Sequence, residues 1–342
     1  LERALGPSVG TVAGFGTWLS LVLKDAFALV GMSAYLVLVV DVDGRTAALV
    51  LIAVFTLLNV VGSKASSSVQ LVLVVFVLAV LGWFLVDGLV ETTNRGFDGS
   101  NLDPFFTDGA SGVVAVVGLV FVSYGGLTKV ASAAEEVDDP SLRIPLGMAL
   151  SLIVGTALYT LGALVAVAVI PAEVLHEDLA PIHTAAEALL PPVGAALVVI
   201  AALAAFASAV NAGILAAARY PMAMARDGLL PGALGRLSRF GTPAMGVVTT
   251  GIAIAVVVLA FNAEAIAKLA SAFVLLTLGL LNIAVLVLRA SRIKSYAPAF
   301  RAPFYPVTQF AGIAVSVVLI SQLGLTALVF LVAVVLLGWS WH

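Results

Sequence analysis

The sequence predicts an all-helical integral membrane protein, and three observations lead to this fold class. Hydrophobic residues make up 62% of the 342 residues, charged residues make up 10%, and the mean hydropathy is +1.18. A soluble domain carries about 25% charged residues, because its surface must be hydrated. The apolar residues also form continuous runs that reach the ~20 residues of a membrane-spanning helix, without the alternation of barrel strands.

The apolar runs are separated by Gly, Pro and charged residues, which mark the ends of the predicted spans. We expect spans at about 11–40, 47–61, 69–89, 112–137, 146–170, 193–220, 246–261 and 266–289. The last run, 307–341, is too long for one ~30 Å crossing at ~1.5 Å per residue, so we divide it near 322–324. The sequence therefore predicts about ten transmembrane helices in a single domain of residues 1–342.

Residues 171–192 separate the fifth span from the sixth, and they alternate apolar and acidic side chains as a surface helix does. The positive-inside rule gives the orientation. Arg45, Arg95 and Lys268 fall on one side of the predicted membrane, whereas the remaining Lys and Arg, except the intramembrane Lys24, fall on the other. We therefore expect the first helix to start on the cytoplasmic side of the inner membrane and 171–192 to be an extracellular helical segment.

The fourth span contains adjacent glycines, Gly125 and Gly126, near its middle. Each glycine weakens a helix by ~1 kcal/mol relative to alanine. Unwound backbone at that depth is tolerated where it lines a cavity, and it can then hold a polar substrate. Small residues also allow helices to pack closely, so the glycines predict either a broken helix at a binding site or a close helix contact.

The first span carries Lys24 and Asp25 near the middle of the membrane. An ionised side chain there costs ~2.5–3.5 kcal/mol on insertion scales, so both residues are functional candidates. Neighbouring residues point ~100° apart on a helix, and we expect the two side chains to face different neighbours. A buried ion pair with another helix, or snorkelling of Lys24 to the membrane surface, is the structural alternative.

Several classes of function are excluded by composition. The chain has no cysteine and three histidines, and its formal charge of -3 comes without a basic run of the kind that binds nucleic acid. The spans hold neither histidines nor paired carboxylates that would serve catalysis or metal binding. We expect no enzymatic activity, no metal centre, no cofactor and no nucleic-acid partner.

Three segments resemble the amino acid–polyamine–organocation (APC) permease superfamily, in the order and at the spacing of that family. These segments are YGG at 124–126 with AEEVDDP at 134–140 and IP at 144–145, SAVN at 208–211 with AR at 218–219 and MARDGLLP at 224–231, and FRAPFYP at 300–306. The resemblance implies an inverted-repeat fold of five plus five helices followed by two more. By this alignment the first span corresponds to the family's third helix, so we expect a chain truncated at its N-terminus that lacks family helices one and two.

The resemblance also implies which residues carry function. It assigns substrate binding to the broken helix, at Phe121, Val122, Ser123, Tyr124, Gly125 and Gly126, whose free carbonyls would accept a substrate ammonium. Lys24, Asp25, Ser208 and Asn211 are candidates for coupling or for an ion site, and Glu136 and Arg219 are candidates for a gate. Serine and asparagine in membrane helices also form plain interhelical hydrogen bonds, which is the alternative for Ser208 and Asn211.

The implied function is secondary active transport of amino acids across the cytoplasmic membrane by alternating access. The expected partners are an amino acid, a coupling proton or sodium ion, and the lipid bilayer, with the oligomeric state open. A neutral amino acid is favoured by an expected apolar lining of Phe27, Phe121, Val122 and Phe273. The alternatives are a channel-like or substrate-sensing protein on the same scaffold, or a transporter of polyamines or cationic amino acids.

Overall fold

The structure, a computed structural model, describes residues 2–62, 67–94, 109–126, 137–291, 298 and 300–340. Throughout these ranges the regular elements are helices, apart from turns and one short 3-10 helix at Gly232–Gly235. The helices are α1 (Glu2–Leu5), α2 (Pro7–Val37), α3 (Gly44–Val61), α4 (Ser67–Asn94), α5 (Gly109–Tyr124), α6 (Pro140–Val169), α7 (Ala172–Leu175), α8 (Pro181–Leu189), α9 (Pro192–Arg226), α10 (Ala244–Ala260), α11 (Ala263–Ala290), α12 (Val307–Gln322) and α13 (Leu325–Ser340).

Each predicted span corresponds to a helix, and the all-helical membrane fold is confirmed. Six helices are long and apolar enough to cross a membrane: α2, α3, α4, α6, α9 and α11. The pair α12 and α13 is bent by 119° at its break and makes a seventh crossing if it is counted as one span. Helices α5 and α10 are apolar but shorter, at 16 and 17 residues. The number of ten spans therefore stays a prediction.

Helix ends follow the local signals that the sequence carries. The side chain of Asp43 accepts hydrogen bonds from the backbone N–H groups of Arg45 and Thr46 and so caps the start of α3. The last apolar run divides where we expected, because Gly324 adopts a φ of 92° that a residue with a side chain rarely takes. Helix α6 starts at Pro140, earlier than the predicted 146, because proline is favoured in the first turn of a helix.

The described helices pack around two large apolar cores that share helix α9, and a smaller cluster surrounds Tyr35, Ala180 and Val199. The larger core joins α2 to α3, α5, α10, α11 and the last two helices, and it includes Leu23, Ile214, Ile254 and Phe273. The second core lies between α4, α6, α8 and the N-terminal half of α9, around Phe84, Val165 and Ala185. Helix α2 is thus the centre of the larger core, and it brings Lys24 and Asp25 to the interior of the bundle.

The segment 171–192 contains two short helices, α7 and α8. Asp178 stabilises the connection between them, because its carboxylate accepts hydrogen bonds from the Ala180 N–H at 2.7 Å and the Thr184 hydroxyl at 2.6 Å. Ala185 and Ala186 of α8 are fully buried in the second core. Its location on the extracellular side stays a prediction.

Candidate functional site: a charged cavity beside the end of helix α5

Helix α5 ends at Tyr124, and Gly125 and Gly126 form a turn directly after it. The Gly125 N–H donates to the Val122 carbonyl at 3.1 Å, which tightens the last turn. The side chain of Ser271, on α11, fixes this end of the helix. Its Oγ accepts the Val122 N–H at 2.9 Å and donates to the Leu119 carbonyl at 2.8 Å. Helix α5 thus ends just before the glycine pair, while 127–136, with the gate candidate Glu136, lie outside the described residues, so the broken helix stays a prediction.

A cavity of about 380 Å³ opens beside this helix end, and we call it the Lys24 cavity. Its walls come from α2, α4, α9 and the turn after α5. The polar side chains in the lining are Lys24, Asp25, Gln70 and Ser208, and Gly126 contributes backbone. The rest of the lining is aliphatic: Ala28, Leu73, Val74, Val77, Leu78, Ala205, Ala209 and Ala212. Volume and composition are those of a pocket for a small molecule, with few polar groups in an apolar wall.

Lys24 is half-buried and extends from α2 to the turn after α5. A Cβ atom built on Gly126 would lie 3.5 Å from the Lys24 Nζ, and one on Gly125 would lie 3.8 Å from it. The ammonium therefore lies against the backbone of the glycine pair. The last carbonyls of a helix carry a partial negative charge, which stabilises a cation at that place.

Asp25 points to a different neighbour, as expected for adjacent residues on one helix. It is only 2% exposed, and its carboxylate packs against Gly213 of α9, where a Cβ atom would overlap it. Both residues line the Lys24 cavity, Lys24 towards the turn after α5 and Asp25 towards Gly213 of α9. Because Gly213 has no side chain, helix α9 can approach the Asp25 carboxylate closely.

The six residues predicted to bind substrate do not share one cavity. Gly126 lines the Lys24 cavity, whereas Val122 is 2% exposed and belongs to the larger core. Phe121 packs against that core, and Phe273, expected in the apolar lining, is 1% exposed within it. Gly125 lies beside Lys24 in the turn.

Ser123 faces a second space of about 540 Å³ between α4, α5, α6 and the short helices α7 and α8, which we call the Ser123 cavity. Tyr159 of α6 also lines it. Tyr124 lies on this side as well. Its ring contacts that of Tyr159 edge-on at 5.5 Å, and its hydroxyl lies 3.4 Å from the Thr156 hydroxyl. The end of α5 thus borders two cavities, with Gly126 in the lining of one and Ser123 in the lining of the other.

The remaining candidate residues, Ser208, Asn211 and Arg219, also lie in different parts of the structure. Ser208 lines the Lys24 cavity. Asn211 instead accepts a hydrogen bond at 3.0 Å from the amide of Asn59, a 1%-exposed residue of α3, which is the interhelical alternative for this residue. Arg219 is exposed near the C-terminal end of α9. Gln70, Asn59 and Ser271 were missed by sequence reasoning, because isolated polar residues in a helix give no sign of their partners.

No group of three or more His, Cys, Asp or Glu that could hold a metal ion occurs within the described ranges. His183 and Glu187, one turn apart on α8, are 3.7 Å from each other. They lie on the far side of α9 from Lys24, in a lining with Leu190 and Val199.

Secondary transporters place their binding sites at helix ends inside a bundle of membrane helices, and the Lys24 cavity has such a position. Comparison with known proteins agrees with this class. Residues 1–339 match the family described as amino acid permease, and the chain belongs to that family. The resemblance stated from the sequence motifs is thereby confirmed.

Individual relatives carry several transport functions. The chain is 31% identical over 244 residues to the vacuolar cationic amino acid transporter 4 of Arabidopsis thaliana, covering 71% of this chain and 40% of that protein. It is 30% identical over 261 residues to the methylthioribose transporter of Bacillus subtilis, covering 76% and 55%. It is 28% identical over 296 residues to the branched-chain amino acid permease BcaP of the same species, covering 85% and 62%. The chain spans about 40% of the length of the cationic transporters that it matches.

Proposed function

We propose that this chain forms the membrane core of a secondary transporter that moves amino acids across the cytoplasmic membrane by alternating access. The observation that supports this function is the Lys24 cavity, which combines two charged groups and two neutral polar groups with an aliphatic wall beside a helix end. Membership of the amino acid permease family supports the substrate class. In this proposal α2 starts on the cytoplasmic side, and rocking of one helix group against the other exposes the cavity to each side in turn.

The preferred substrate in this proposal is a neutral amino acid. The apolar lining of the Lys24 cavity supports this preference. Its side chains are Leu, Val and Ala from α2, α4 and α9, and they differ from the mainly aromatic set that the sequence led us to expect. A charged Lys24 in the same cavity repels a cationic substrate side chain. Saturable uptake of lysine or arginine at the same efficiency as leucine would contradict this preference.

The coupling ion, a proton or a sodium ion, is proposed to act at Asp25 and Ser208. Both line the Lys24 cavity, and carboxylate and hydroxyl oxygens are suitable groups for either cation. Lys24 takes part through its charge, which opposes a second cation in the cavity. Asn211 contributes indirectly by holding α9 against α3 through Asn59. Arg219, with Glu136, remains our proposal for a cytoplasmic gate.

Counterflow of radiolabelled amino acids in proteoliposomes tests the proposed function. Vesicles loaded with unlabelled leucine should accumulate external labelled leucine transiently and saturably, with the complete gene product as the protein. Lys24→Met and Lys268→Met are compared, since Lys268 pairs with Glu264 at 2.6 Å on α11, outside the cavity. Loss in the first variant alone supports the Lys24 cavity. Conductance without saturation or counterflow would instead identify a channel and overturn the proposal.

A further inference from the structure

A further cavity, of about 380 Å³, lies between helix α2 and helix α13, and we call it the Trp18 cavity. Its walls are Phe15, Trp18 and Leu19 of α2, Val334 and Gly338 of α13, and Leu230 of the turn after α9. Helix α13 lies at the edge of the bundle, since its Val332 and Leu336 are more than half exposed. The cavity is therefore next to the surface that faces lipid.

The lining directs little polarity into this cavity. The indole N–H of Trp18 donates to the Thr250 hydroxyl at 3.2 Å, and Thr250 is a fully buried residue of α10. The N–H therefore points into the bundle, so the cavity meets mainly the carbon atoms of the ring. Ser340, at the end of α13, adds a hydroxyl to the lining. A polar ligand would lose its hydrogen bonds to water against such walls, whereas a hydrocarbon chain has none to lose.

Two features place the cavity near the level of the membrane surface. Trp339, between the lining residues Gly338 and Ser340, is 66% exposed, and tryptophan is enriched where lipid meets water. The turn after α9 carries Leu230 to the cavity, because the Leu229 N–H donates back to the Met224 carbonyl at 2.8 Å. This turn joins a membrane helix to a polar loop, so the Trp18 cavity lies just below the headgroups of the bilayer.

The loop beside the cavity carries two neighbouring arginines. The Arg226 Nε donates to the Gly235 carbonyl at 3.3 Å, and Arg236 is the next residue. Both arginines are exposed, and Asp227, the acidic residue of the same turn, is exposed as well. Arg239 adds a third cation to the loop, so positive charge prevails beside the cavity. Basic residues at the membrane surface bind anionic lipid headgroups.

We propose that the Trp18 cavity binds an acyl chain of an anionic phospholipid, whose headgroup lies against Arg226 and Arg236. The inference concerns a different part of α2 from the Lys24 cavity and does not depend on the proposed transport function. An acyl chain gains little by leaving the bilayer for the cavity, because lipid tails are as apolar as its walls. The cavity thus positions the lipid, and the arginines select the headgroup. One basic side chain near the membrane surface contributes about fivefold to the affinity for an anionic lipid.

Quenching of Trp18 fluorescence by phospholipids with brominated acyl chains tests this inference, because bromine quenches an indole that it approaches closely. The complete gene product, with Phe in place of every tryptophan except Trp18, is reconstituted in phosphatidylcholine vesicles. Brominated phosphatidylglycerol should half-quench Trp18 at a mole fraction about tenfold lower than brominated phosphatidylcholine with the same chains, since two arginines contribute. A protein that keeps only Trp83, which is 37% exposed on α4 and outside the lining of the cavity, should respond equally to both lipids.

Two double variants separate headgroup recognition from general surface charge. Arg226→Gln with Arg236→Gln should bring the two lipids to within about twofold of each other at Trp18. Arg143→Gln with Arg289→Gln removes the same number of positive charges on α6 and α11, outside the lining of the cavity. This matched pair should keep the preference for phosphatidylglycerol.

Three outcomes overturn the inference. Equal quenching of Trp18 by both lipids in the protein with all its arginines would show that the cavity admits any lipid chain. Absence of quenching by either lipid would show that another segment, or a second copy of the chain, covers the cavity. An equal loss of preference in both double variants would show that Arg226 and Arg236 have no specific role. None of these measurements needs flux, so failure of the transport proposal leaves the lipid site standing, and the reverse also holds.

Discussion

The two halves of helix α9 are packed by different means. The N-terminal half contributes Ala195, Val198 and Ala201 to the second core, where α4, α6 and α8 meet it through aliphatic side chains. The C-terminal half also contributes aliphatic residues, Val210, Ile214 and Ala218, to the larger core, but it meets α2, α3 and α10 through close backbone approaches and polar contacts as well. Gly213 receives the Asp25 carboxylate, Asn211 pairs with Asn59, and the Ala218 carbonyl would be 2.5 Å from a Cβ on Gly246.

This difference explains why the charged residues lie where they do. Aliphatic contacts tolerate volume-conserving exchange, whereas polar groups in a membrane interior require partners at fixed positions. The C-terminal half of α9 supplies such positions, and the Lys24 cavity is built on it. The second core surrounds the Ser123 cavity, whose lining is mostly aliphatic and aromatic. The comparison leads us to expect substitutions in the C-terminal half to cost more and to affect transport more.

The largest effect is expected for Gly213→Ala. The new Cβ would overlap the Asp25 carboxylate, and the carboxylate cannot move far on its short side chain. Overpacking of this kind costs about 2–3 kcal/mol, which we expect as the loss of unfolding free energy in an SDS titration of mixed micelles.

Two variants control the Gly213 experiment. Gly155→Ala on α6 places its Cβ in open space and should stabilise the protein by about 0.5–1 kcal/mol through helix propensity. Combining Gly213→Ala with Asp25→Ala should restore part of the loss, because the clash then has no partner. An additive double variant would show that Asp25 does not pack against Gly213.

A smaller loss is expected for Gly88→Ala, which tests the second core in the same way. Its Cβ would lie 2.5 Å from Cγ1 of Val165, a 1%-exposed residue of α6. Aliphatic neighbours yield by small shifts, so we expect a loss of about 1–2 kcal/mol in the same titration. Combining Gly88→Ala with Val165→Ala should restore part of the lost unfolding free energy, because the neighbouring side chain is then smaller. A loss larger than that of Gly213→Ala would reverse the ranking of the two halves.

The next largest effect is expected for Ser271→Ala, at the end of α5 that borders both cavities. Ser271→Ala removes two hydrogen bonds, one from the Val122 N–H and one to the Leu119 carbonyl. Interhelical hydrogen bonds in membranes average about 0.6 kcal/mol, so we expect a loss of about 1 kcal/mol together with weaker leucine counterflow. Ser321→Ala is the matched control, because its hydroxyl bonds only within its own helix: it donates to the Val318 carbonyl and accepts from the Gln322 amide. Equal counterflow in both variants would show that Ser271 does not position α5.

The sequence predicts the helices and the end of α5 near the glycine pair, because both depend on local patterns of apolar residues and glycines. It also predicts that Lys24 and Asp25 lie near the middle of a span, since their depth follows from the length of the span. The neighbours of these residues are not predictable in this way. Gly213 is one of 31 glycines, and no spacing connects it to Asp25. Gln70 lies near the start of α4, where a polar side chain normally indicates the membrane surface.

The smallest effect is expected for Tyr124→Phe, on the Ser123 side of the break. The variant loses a hydroxyl contact of 3.4 Å with Thr156 and keeps the edge-on ring contact with Tyr159. We expect a change in unfolding free energy below about 0.5 kcal/mol and an unchanged KM for leucine counterflow. Tyr159→Phe, which removes a second hydroxyl from the same side, is the control. A tenfold rise in KM for Tyr124→Phe alone would place the substrate against its hydroxyl, and transport would then depend on both sides of the α5 break.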